Sequence, residues 1–359
     1  MPYRIFAYLS PRALGDSITF AWFVSSVAEM FDDSELVVYY RDDRPYKPGI
    51  IACIRNTRRV LNPTNAAGMF PIEVFDTASG GPNVPPDLQS VRGAHLILTH
   101  TMFNEGMLNS IPLATLAPPP ETVGPSNQSL LDLGLDPGRW IATVYWKEAA
   151  YKFRPDEPWR SPDPAPYIAA IRHIIEDLGG QVVKLGHPTP TVLPKLKGLV
   201  DLAQVPNSHW LQLYAVWVSR FILGNPSGPT SYGPAFNVPT VITDQRRSDG
   251  VYRSHDYSVT QKCFLDGKPY QGYDAFAAGL LQHWGTDPRD YAANTAEELC
   301  AAADEMYTST ADCPAWRVHQ PLAAPAQRPN KLSLPIPSLS RPELFIPPSR
   351  RRSLGIPTR

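Results

Sequence analysis

One segment near the start of the chain combines a glycine turn with a carboxylate. Residues 10–20 read SPRALGDSITF, where an apolar strand-like run gives way to an apolar stretch with helical spacing. Gly15 permits a tight turn, and Asp16 then lies at the start of the helix and the carboxyl end of the strand. A carboxylate there is placed to act as a general base, although aspartate at this position also caps helices. The same turn contains Arg12, Gly15 and Ser17.

The letters GDSIT in this segment allow a second interpretation. They resemble the nucleophile block of GDSL-type serine hydrolases, which would make Ser17 the nucleophile. Those hydrolases place a histidine three residues after an aspartate near the C-terminus. In this sequence His255, His283 and His319 have Tyr252, Leu280 and Trp316 at that distance. A G-x-S-x-G nucleophile elbow is also absent, so the hydrolase interpretation is disfavoured.

A second glycine-containing turn follows an apolar run later in the chain. Residues 220–236 read RFILGNPSGPTSYGPAF, which predicts a buried strand, a turn and a short helix. Backbone amides at a helix start, together with hydroxyl side chains, favour an anion such as a phosphate. The same pattern without a ligand is an ordinary capped turn, and it is neither a Walker loop nor G-x-G-x-x-G. The candidate contacts are Asn225, Ser227, Gly228, Thr230 and Ser231.

Two further segments place polar side chains directly after predicted strands. VYWKEAAYKFRP at 144–155 supplies cations that could neutralise a diphosphate. KLGHPTP at 184–190 ends a strand in Gly-His-Pro, which puts a histidine at the same edge of the sheet. A solvated basic loop and a histidine bonded to loop backbone are the structural alternatives. The candidates are Lys147, Lys152, Arg154, Gly186 and His187.

The candidate turns lie between predicted strands and helices that alternate along the chain. Strand-like and helix-like apolar runs alternate along the chain, which favours parallel βαβ units. This alternation of strands and helices occurs twice. A proline-rich polar stretch at 116–128 lies between the two occurrences and is predicted to be a linker. We therefore predict an α/β protein with two Rossmann-like domains facing a cleft, over residues 1–125 and 139–318. Ligands bind such sheets at the carboxyl ends of the strands, where the candidate turns fall.

Composition narrows the function classes. The 359 residues carry 33 Lys and Arg against 34 Asp and Glu, a net charge of −1, so nucleic acid is not an expected partner. The 4 cysteines include no C-x-x-C pair, which suits the reducing cytosol. Without a long apolar run or a secretory pattern, we expect a cytoplasmic protein. Residues 319–359 are rich in proline and arginine and predict an irregular C-terminal arm, either solvated or in peripheral contact with a membrane.

Taken in order, the segments resemble the heptosyltransferase-like glycosyltransferases of the GT-B fold. The likeness rests on the strand–LGD–helix start, the basic loop, GGQVVKLG and FILGNPSGP followed by VPTV. It is closest to a bacterial set of glycosyltransferases, some of them fused to tetratricopeptide repeats, and covers about residues 3–245. The resemblance implies two Rossmann-like domains, with the acceptor in the first domain, beside the LGD turn, and the nucleotide-sugar donor in the second.

The resemblance also implies roles for individual residues. Asp16 matches the position of a base for the acceptor hydroxyl, and Lys147 or Lys152 matches a lysine that neutralises phosphate. The donor-diphosphate turn is matched by Ser227, Gly228 and Thr230. The sequence departs from the family at Asn225-Pro226, where an aspartate is frequent, and at Tyr232-Gly233, where a histidine follows SGP. These departures argue against ADP-heptose as the donor.

These observations predict a metal-independent glycosyltransferase. It would move a sugar from a nucleoside-diphosphate sugar to a hydroxyl group of a glycan, a lipid-linked acceptor or a protein. No D-x-D, no H-E-x-x-H and no His/Cys cluster at metal-ligand spacing occurs in the sequence, so no cofactor is expected. Two alternatives stay open: a GT-B enzyme similar to nucleotide-sugar 2-epimerases, and a glycan- or nucleotide-binding module without turnover.

Overall fold

The structure is a computed structural model of the chain. It describes residues 3–9, 13–40, 44–55, 57–61, 94–100, 103–148, 160–188, 191–246, 251–278 and 291–312. The predicted C-terminal arm at 319–359 and the strand expected at 72–77 lie outside these ranges. Across the same ranges, no helix has both the length and the apolar character that crossing a membrane requires.

The described residues of the first half alternate between strand and helix. The elements are β1 (Tyr3–Leu9), α1 (Leu14–Ala28), β2 (Ser34–Tyr40), α2 (Lys47–Ala52), β3 (Thr57–Leu61) and β4 (Leu96–Thr99). The strands form a sheet in the order β3-β2-β1-β4, and every adjacent pair is parallel. Apolar side chains dominate the buried parts of β1 and β2, as expected for a parallel sheet covered on both faces.

The second half repeats the pattern around a larger sheet. Its elements include β5 (Ile141–Tyr145), α4 (Pro164–Glu176), β6 (Gln181–Lys184), β7 (Leu199–Asp201), α5 (His209–Val218), β8 (Phe221–Gly224), α6 (Tyr232–Ala235), β9 (Thr240–Gln245) and β10 (Tyr257–Thr260). The order is β10-β9-β8-β5-β6-β7, and all five pairings are parallel. Two parallel sheets with helical crossovers confirm the predicted α/β architecture.

Two parts of the chain depart from the sequence-based expectation. A small antiparallel sheet of β11 (Lys262–Leu265), β12 (Lys268–Tyr270) and β13 (Tyr291–Ala292) was not predicted. The linker predicted at 116–128 is wrong in its second part, because Pro120–Asp132 forms helix α3. Pro120 suits the first turn of that helix, and Ser126 accepts a hydrogen bond from the indole N–H of Trp210 on α5 at 2.9 Å. The domain boundaries at 125 and 139 stay predictions.

A hydrophobic cluster joins the two halves. Helix α1 is buried from Ser17 to Ala28, so its apolar surface is not confined to one stripe. The cluster includes Ile18 and Trp22 from this helix together with Leu213 and Phe236 from the second half. Helix α1 therefore packs on the second half through its side chains. This contact fixes where the carboxyl ends of the two sheets meet.

A histidine joins the last described helix to helix α4 of the second half. After α7 (Gly272–Ala277), helix α8 (Ala296–Ser309) packs on α4. His173 of α4 contacts two carboxylates. Its Nδ1 lies 2.7 Å from Oδ2 of Asp177, and its Nε2 lies 2.7 Å from Oδ1 of Asp304 on α8. Burial lowers the pKa of His173, but the hydrogen bonds with Asp304 and Asp177 outweigh it, so the net shift is upward.

This geometry predicts a pH-dependent contribution to stability. Because its folded-state pKa is raised, His173 stabilises the fold below the unfolded-state pKa of about 6.5 and loses this effect as pH rises through the folded-state value. Urea unfolding of wild type and His173→Gln should differ by about 0.5–1 kcal/mol at pH 5.5. The difference should shrink at pH 8.5. An equal difference at both pH values would contradict the ion-pair account.

Candidate active site

The two halves approach most closely at two glycines. A Cβ built on Gly15, in the first turn of α1, would lie 3.4 Å from Cα of Gly228. A Cβ built on Gly228 would lie 2.7 Å from Cβ of Leu14 and 2.9 Å from the backbone nitrogen of Gly15. Gly228 begins the 3-10 helix Gly228–Ser231, which follows β8. The absence of a side chain at Gly228 lets the two predicted turns touch, because a Cβ there would collide with Leu14 and Gly15.

Two cavities lie on either side of this contact. The smaller one, of about 200 Å³, has Asp16, Glu105, Arg160, Arg246 and Tyr252 in its lining, and we call it the Asp16 cavity. The larger one, of about 520 Å³, has Arg44, Tyr46, Tyr145, Lys147, His187 and His209 in its lining, and we call it the Tyr145 cavity. Arg160, Ser227 and Gly228 line both. A ligand spanning the two cavities would therefore cross the Ser227–Gly228 turn.

The Tyr145 cavity combines cations with rings. Arg44, Lys147 and Arg160 line it with positive charge, which suits a phosphate-bearing ligand. The rings of His187 and His209 line the same cavity and meet edge to face, with centroids 6.5 Å apart. Burial, with the positive charges of His209 and Lys184, lowers the pKa of His187, so this imidazole is neutral at neutral pH. The cavity therefore combines positive charge with flat ring surfaces.

Hydrogen bonds hold the strand ends that form this cavity. The side-chain oxygen of Asn225 accepts the backbone N–H of Lys147 at 3.1 Å, and its amide donates to the carbonyl of Arg160 at 2.9 Å. The hydroxyls of Tyr145 and Ser227 lie 3.0 Å apart. Asn225 is 1 % exposed, so it ties three segments together behind the cavity wall.

Gly186 is fixed in the same way after β6. The side chain of Gln212 accepts its backbone N–H at 2.8 Å and donates to its carbonyl at 2.9 Å. Gly186 has φ of +130°, which side chains rarely permit, and a Cβ there would lie 3.4 Å from the ring of Tyr145. The glycine lets the loop before His187 turn close to the cavity.

A buried ion pair lies beneath this loop. Nζ of Lys184 lies 3.6 Å from Oε1 of Glu148 and 4.8 Å from the ring centre of Trp146. The hydroxyl of Thr191 donates to Oε2 of Glu148 at 2.6 Å. Burial lowers the pKa of Lys184, while Asp201 and Glu148 oppose that shift. The pair joins the ends of β5 and β6, and thus sets the relative positions of the residues that follow them.

Asp16 is exposed within the other cavity. The residue at the N-cap of α1 is Ala13, with Asp16 in the first helical turn. Asp16 therefore does not cap α1, which was the alternative to a role as a general base. Glu105 supplies a second carboxylate, 3.5 Å from the hydroxyl of Tyr252. Burial lowers the pKa of His100, and the charge of Asp16 opposes that shift.

The structure brings most of the predicted residues together. Gly15, Asp16, Ser227, Gly228, Thr230 and Ser231 line the Asp16 cavity, and Lys147, Gly186 and His187 line the Tyr145 cavity. The hydroxyl of Thr230 accepts and donates hydrogen bonds with backbone groups of its own turn. Ser17 is fully buried and donates to the carbonyl of Ala13 at 2.8 Å, so it lines neither cavity. Arg12, Lys152 and Arg154 lie outside the described residues.

Sequence reasoning missed several lining residues. Glu105 and Tyr252 come from segments without a recognisable motif. Arg246 lies two residues after the end of the predicted strand at 239–244, so the rule that ligands meet the carboxyl ends of strands could have found it. Among the residues that the structure describes, no group of three or more His, Cys, Asp or Glu side chains is arranged to hold a metal ion.

Comparison with solved structures identifies the fold. A glycosyl transferase family 9 protein from Veillonella parvula aligns with a TM-score of 0.50 and 13 % identity, covering 85 % of this chain and 97 % of that one. ADP-heptose LPS heptosyltransferase II from E. coli aligns with a TM-score of 0.51 and 12 % identity, covering 85 % and 99 %. No family model and no curated protein sequence matches. The likeness shows the fold, a GT-B-type arrangement of two Rossmann-like halves, and confirms the predicted class.

The glycine contact predicts the outcome of adding one methyl group. Gly228→Ala places a carbon against Leu14 and Gly15, and overpacking of this kind costs about 1–3 kcal/mol. Gly124→Ala in α3 is the matched control, because a Cβ there meets nothing within 4 Å. Urea unfolding should show destabilisation in the first variant and unchanged or higher stability in the second. Equal stability of Gly228→Ala and wild type would refute the close approach.

Proposed function

We propose that the protein is a glycosyltransferase that moves a sugar from a nucleoside-diphosphate sugar to a hydroxyl acceptor. The observation that carries this proposal is the position of Asp16, which lines the same cavity as residues of the turn Ser227–Ser231. The cationic Tyr145 cavity begins on the other side of the same turn. A carboxylate base and an anion-binding turn thus share one cleft, with room for a sugar between them.

The geometry suggests how a donor lies in the cleft. The nucleoside extends toward the rings of His187 and His209, and the diphosphate lies near Lys147 and Arg160. The sugar then projects into the Asp16 cavity, because Ser227 and Gly228 line both spaces. This placement keeps the leaving group beside cations and the anomeric carbon beside the carboxylate.

The reaction follows from this placement. Asp16 removes the proton of the acceptor hydroxyl, and that oxygen forms a bond to the anomeric carbon. The bond between the anomeric carbon and the diphosphate oxygen breaks, and the nucleoside diphosphate leaves with the electron pair. Lys147 and Arg160 stabilise the charge that develops on the departing oxygen, which is the step that needs it most. In this scheme the chain's own cations take the part that a divalent metal would otherwise play.

The proposal includes the setting of the reaction. We place the enzyme in the cytoplasm, where nucleotide sugars serve as donors, with a glycan, a lipid-linked saccharide or a protein as acceptor.

The alternative functions differ from a glycosyltransferase in their products. A 2-epimerase-like enzyme would change the sugar while leaving the diphosphate bond of its product intact, and a binding module would release neither sugar nor nucleotide.

Nucleoside diphosphate binding is the first expected outcome. A nucleoside diphosphate at 100 times its Kd should add about 2.7 kcal/mol of stability, read as a rise in Tm. The rise should persist in EDTA, because the cations of the site belong to the protein. Lys147→Ala should weaken binding, whereas Lys197→Ala, an exposed lysine in neither cavity, should bind as wild type does. A rise that requires Mg²⁺ would contradict metal independence, and no rise with any base would contradict the proposed function.

Asp16→Asn separates catalysis from structure. Asparagine keeps the shape of the side chain but cannot accept the acceptor proton, and loss of a general base costs about 10²–10⁴-fold in rate. Single-turnover transfer should fall by that factor, while Tm and nucleotide affinity change little. Glu105→Gln removes the other carboxylate of the cavity and should retain most of the rate. A wild-type rate in Asp16→Asn with a collapse in Glu105→Gln would assign the base to Glu105 instead.

A further inference from the structure

The Asp16 cavity has walls of opposite charge. Asp16 and Glu105 come from the first half, and Arg160 and Arg246 come from the second half. Arg246 directly follows β9 and is 4 % exposed, yet it forms part of the cavity lining. A cation so deeply placed is unusual unless ligands or neighbours compensate its lost hydration.

Contacts with the second half hold the Arg246 side chain in place. Its Nε donates to Oε1 of Gln261 at 2.5 Å, and its guanidinium carbon lies 3.9 Å from the centre of the Tyr291 ring. Gln261 is itself buried and donates to Oδ1 of Asp244 at 3.3 Å. An arginine fixed in this way loses little conformational freedom when it binds a ligand.

The nearby carboxylate of Asp244 is shared among several donors. It accepts the hydroxyl of Tyr167 at 2.7 Å and the backbone N–H of Asn294 at 2.8 Å, in addition to the amide of Gln261. Burial lowers the pKa of Arg246 to about 10, so the guanidinium keeps its positive charge at neutral pH. The cavity therefore presents a fixed, permanent cation opposite the proposed base.

We propose that the Asp16 cavity takes a sugar that bears a carboxylate, and that Arg246 binds this carboxylate. The inference rests on the proposed function, since it assigns the charge of the sugar that reaches Asp16. The Nε of Arg246 is bonded to Gln261 and its Nη1 is buried, so a sugar carboxylate would meet the guanidinium through Nη2, in a single charge-assisted hydrogen bond. A doubly charged phosphate would meet stronger repulsion from Asp16 and Glu105, which favours the singly charged group. The sugar acid is either the one transferred or the acceptor.

Paired ligands test this assignment and distinguish the two sources. For the donor, Kd is measured for UDP-glucose and UDP-glucuronate, or for the ADP or GDP counterparts if thermal shifts select another base. For the acceptor, Kd is measured for methyl glucoside and methyl glucuronide on protein saturated with the nucleoside diphosphate. The members of each pair differ in one group, CH₂OH against carboxylate. At least one arm should show about tenfold tighter binding of the glucuronate, as expected for a hydrogen-bonded charge pair.

Variants assign the preference to Arg246. The ratio of the two Kd values should fall to about twofold or less in Arg246→Gln, because the charge pair is lost. It should stay as in wild type in Arg172→Gln, which removes an exposed arginine on α4 that lines neither cavity. Equal binding of both members by wild type in both arms would overturn the inference, and so would a preference that survives Arg246→Gln. If that variant does not fold, the wild-type ratios still decide, with Arg246→Ala as the second variant expected to lose the preference.

For every variant, the Kd of the nucleoside diphosphate alone is measured first. The Kd values of the donor pair and of the acceptor pair are then compared with it. If no nucleoside diphosphate binds wild-type protein, the proposed function fails and the inference falls with it. If the nucleotide binds and neither glucuronate is preferred, the inference alone fails.

Discussion

The contact between Gly15 and Gly228 is the constraint on which the site depends. Each residue lies in a turn at the carboxyl end of a strand, one in each sheet, and a side chain at Gly228 would collide with Leu14 and Gly15. The packing of α1 against the second half brings the turns into register. Because the turns touch, the space between the sheets divides into two cavities that share one wall. The proposed division of labour between nucleotide and sugar follows from that partition.

Buried polar contacts give the rest of the site its rigidity. Asn225 ties the turn after β8 to the strand end at Lys147, and Gln212 binds both backbone groups of Gly186. The Lys184–Glu148 pair joins two neighbouring strand ends below them. Breaking such a pair would leave an uncompensated buried charge, which is more costly than the pair is stabilising. The side chains that face the cavities are thus oriented by groups that do not themselves reach a ligand.

Sequence alone predicted the parts of this site that follow from local pattern. The GD turn at Asp16 and the SGPT turn at Ser227 could be found because a glycine beside polar residues after an apolar run marks the end of a strand in a βαβ unit. The helix over Pro120–Asp132 was taken for a linker because its prolines and polar residues hide a buried face that packs on α5. Glu105 was missed because tertiary packing, rather than a motif, brings it into the cavity of Asp16, whereas Arg246 follows a predicted strand end that offered a signal for it.

The position of a bound nucleoside diphosphate is the central proposal for this protein. The second half is proposed to hold the nucleotide, with its terminal phosphate directed at the contact between Gly15 and Gly228. A crystal structure with the nucleoside diphosphate that stabilises the protein most would test this directly. The account predicts the diphosphate at Ser227–Ser231 with Lys147 or Arg160 in contact, and the terminal phosphate facing the cavity that contains Asp16. A nucleotide bound entirely within residues 3–115, away from that turn, would contradict it.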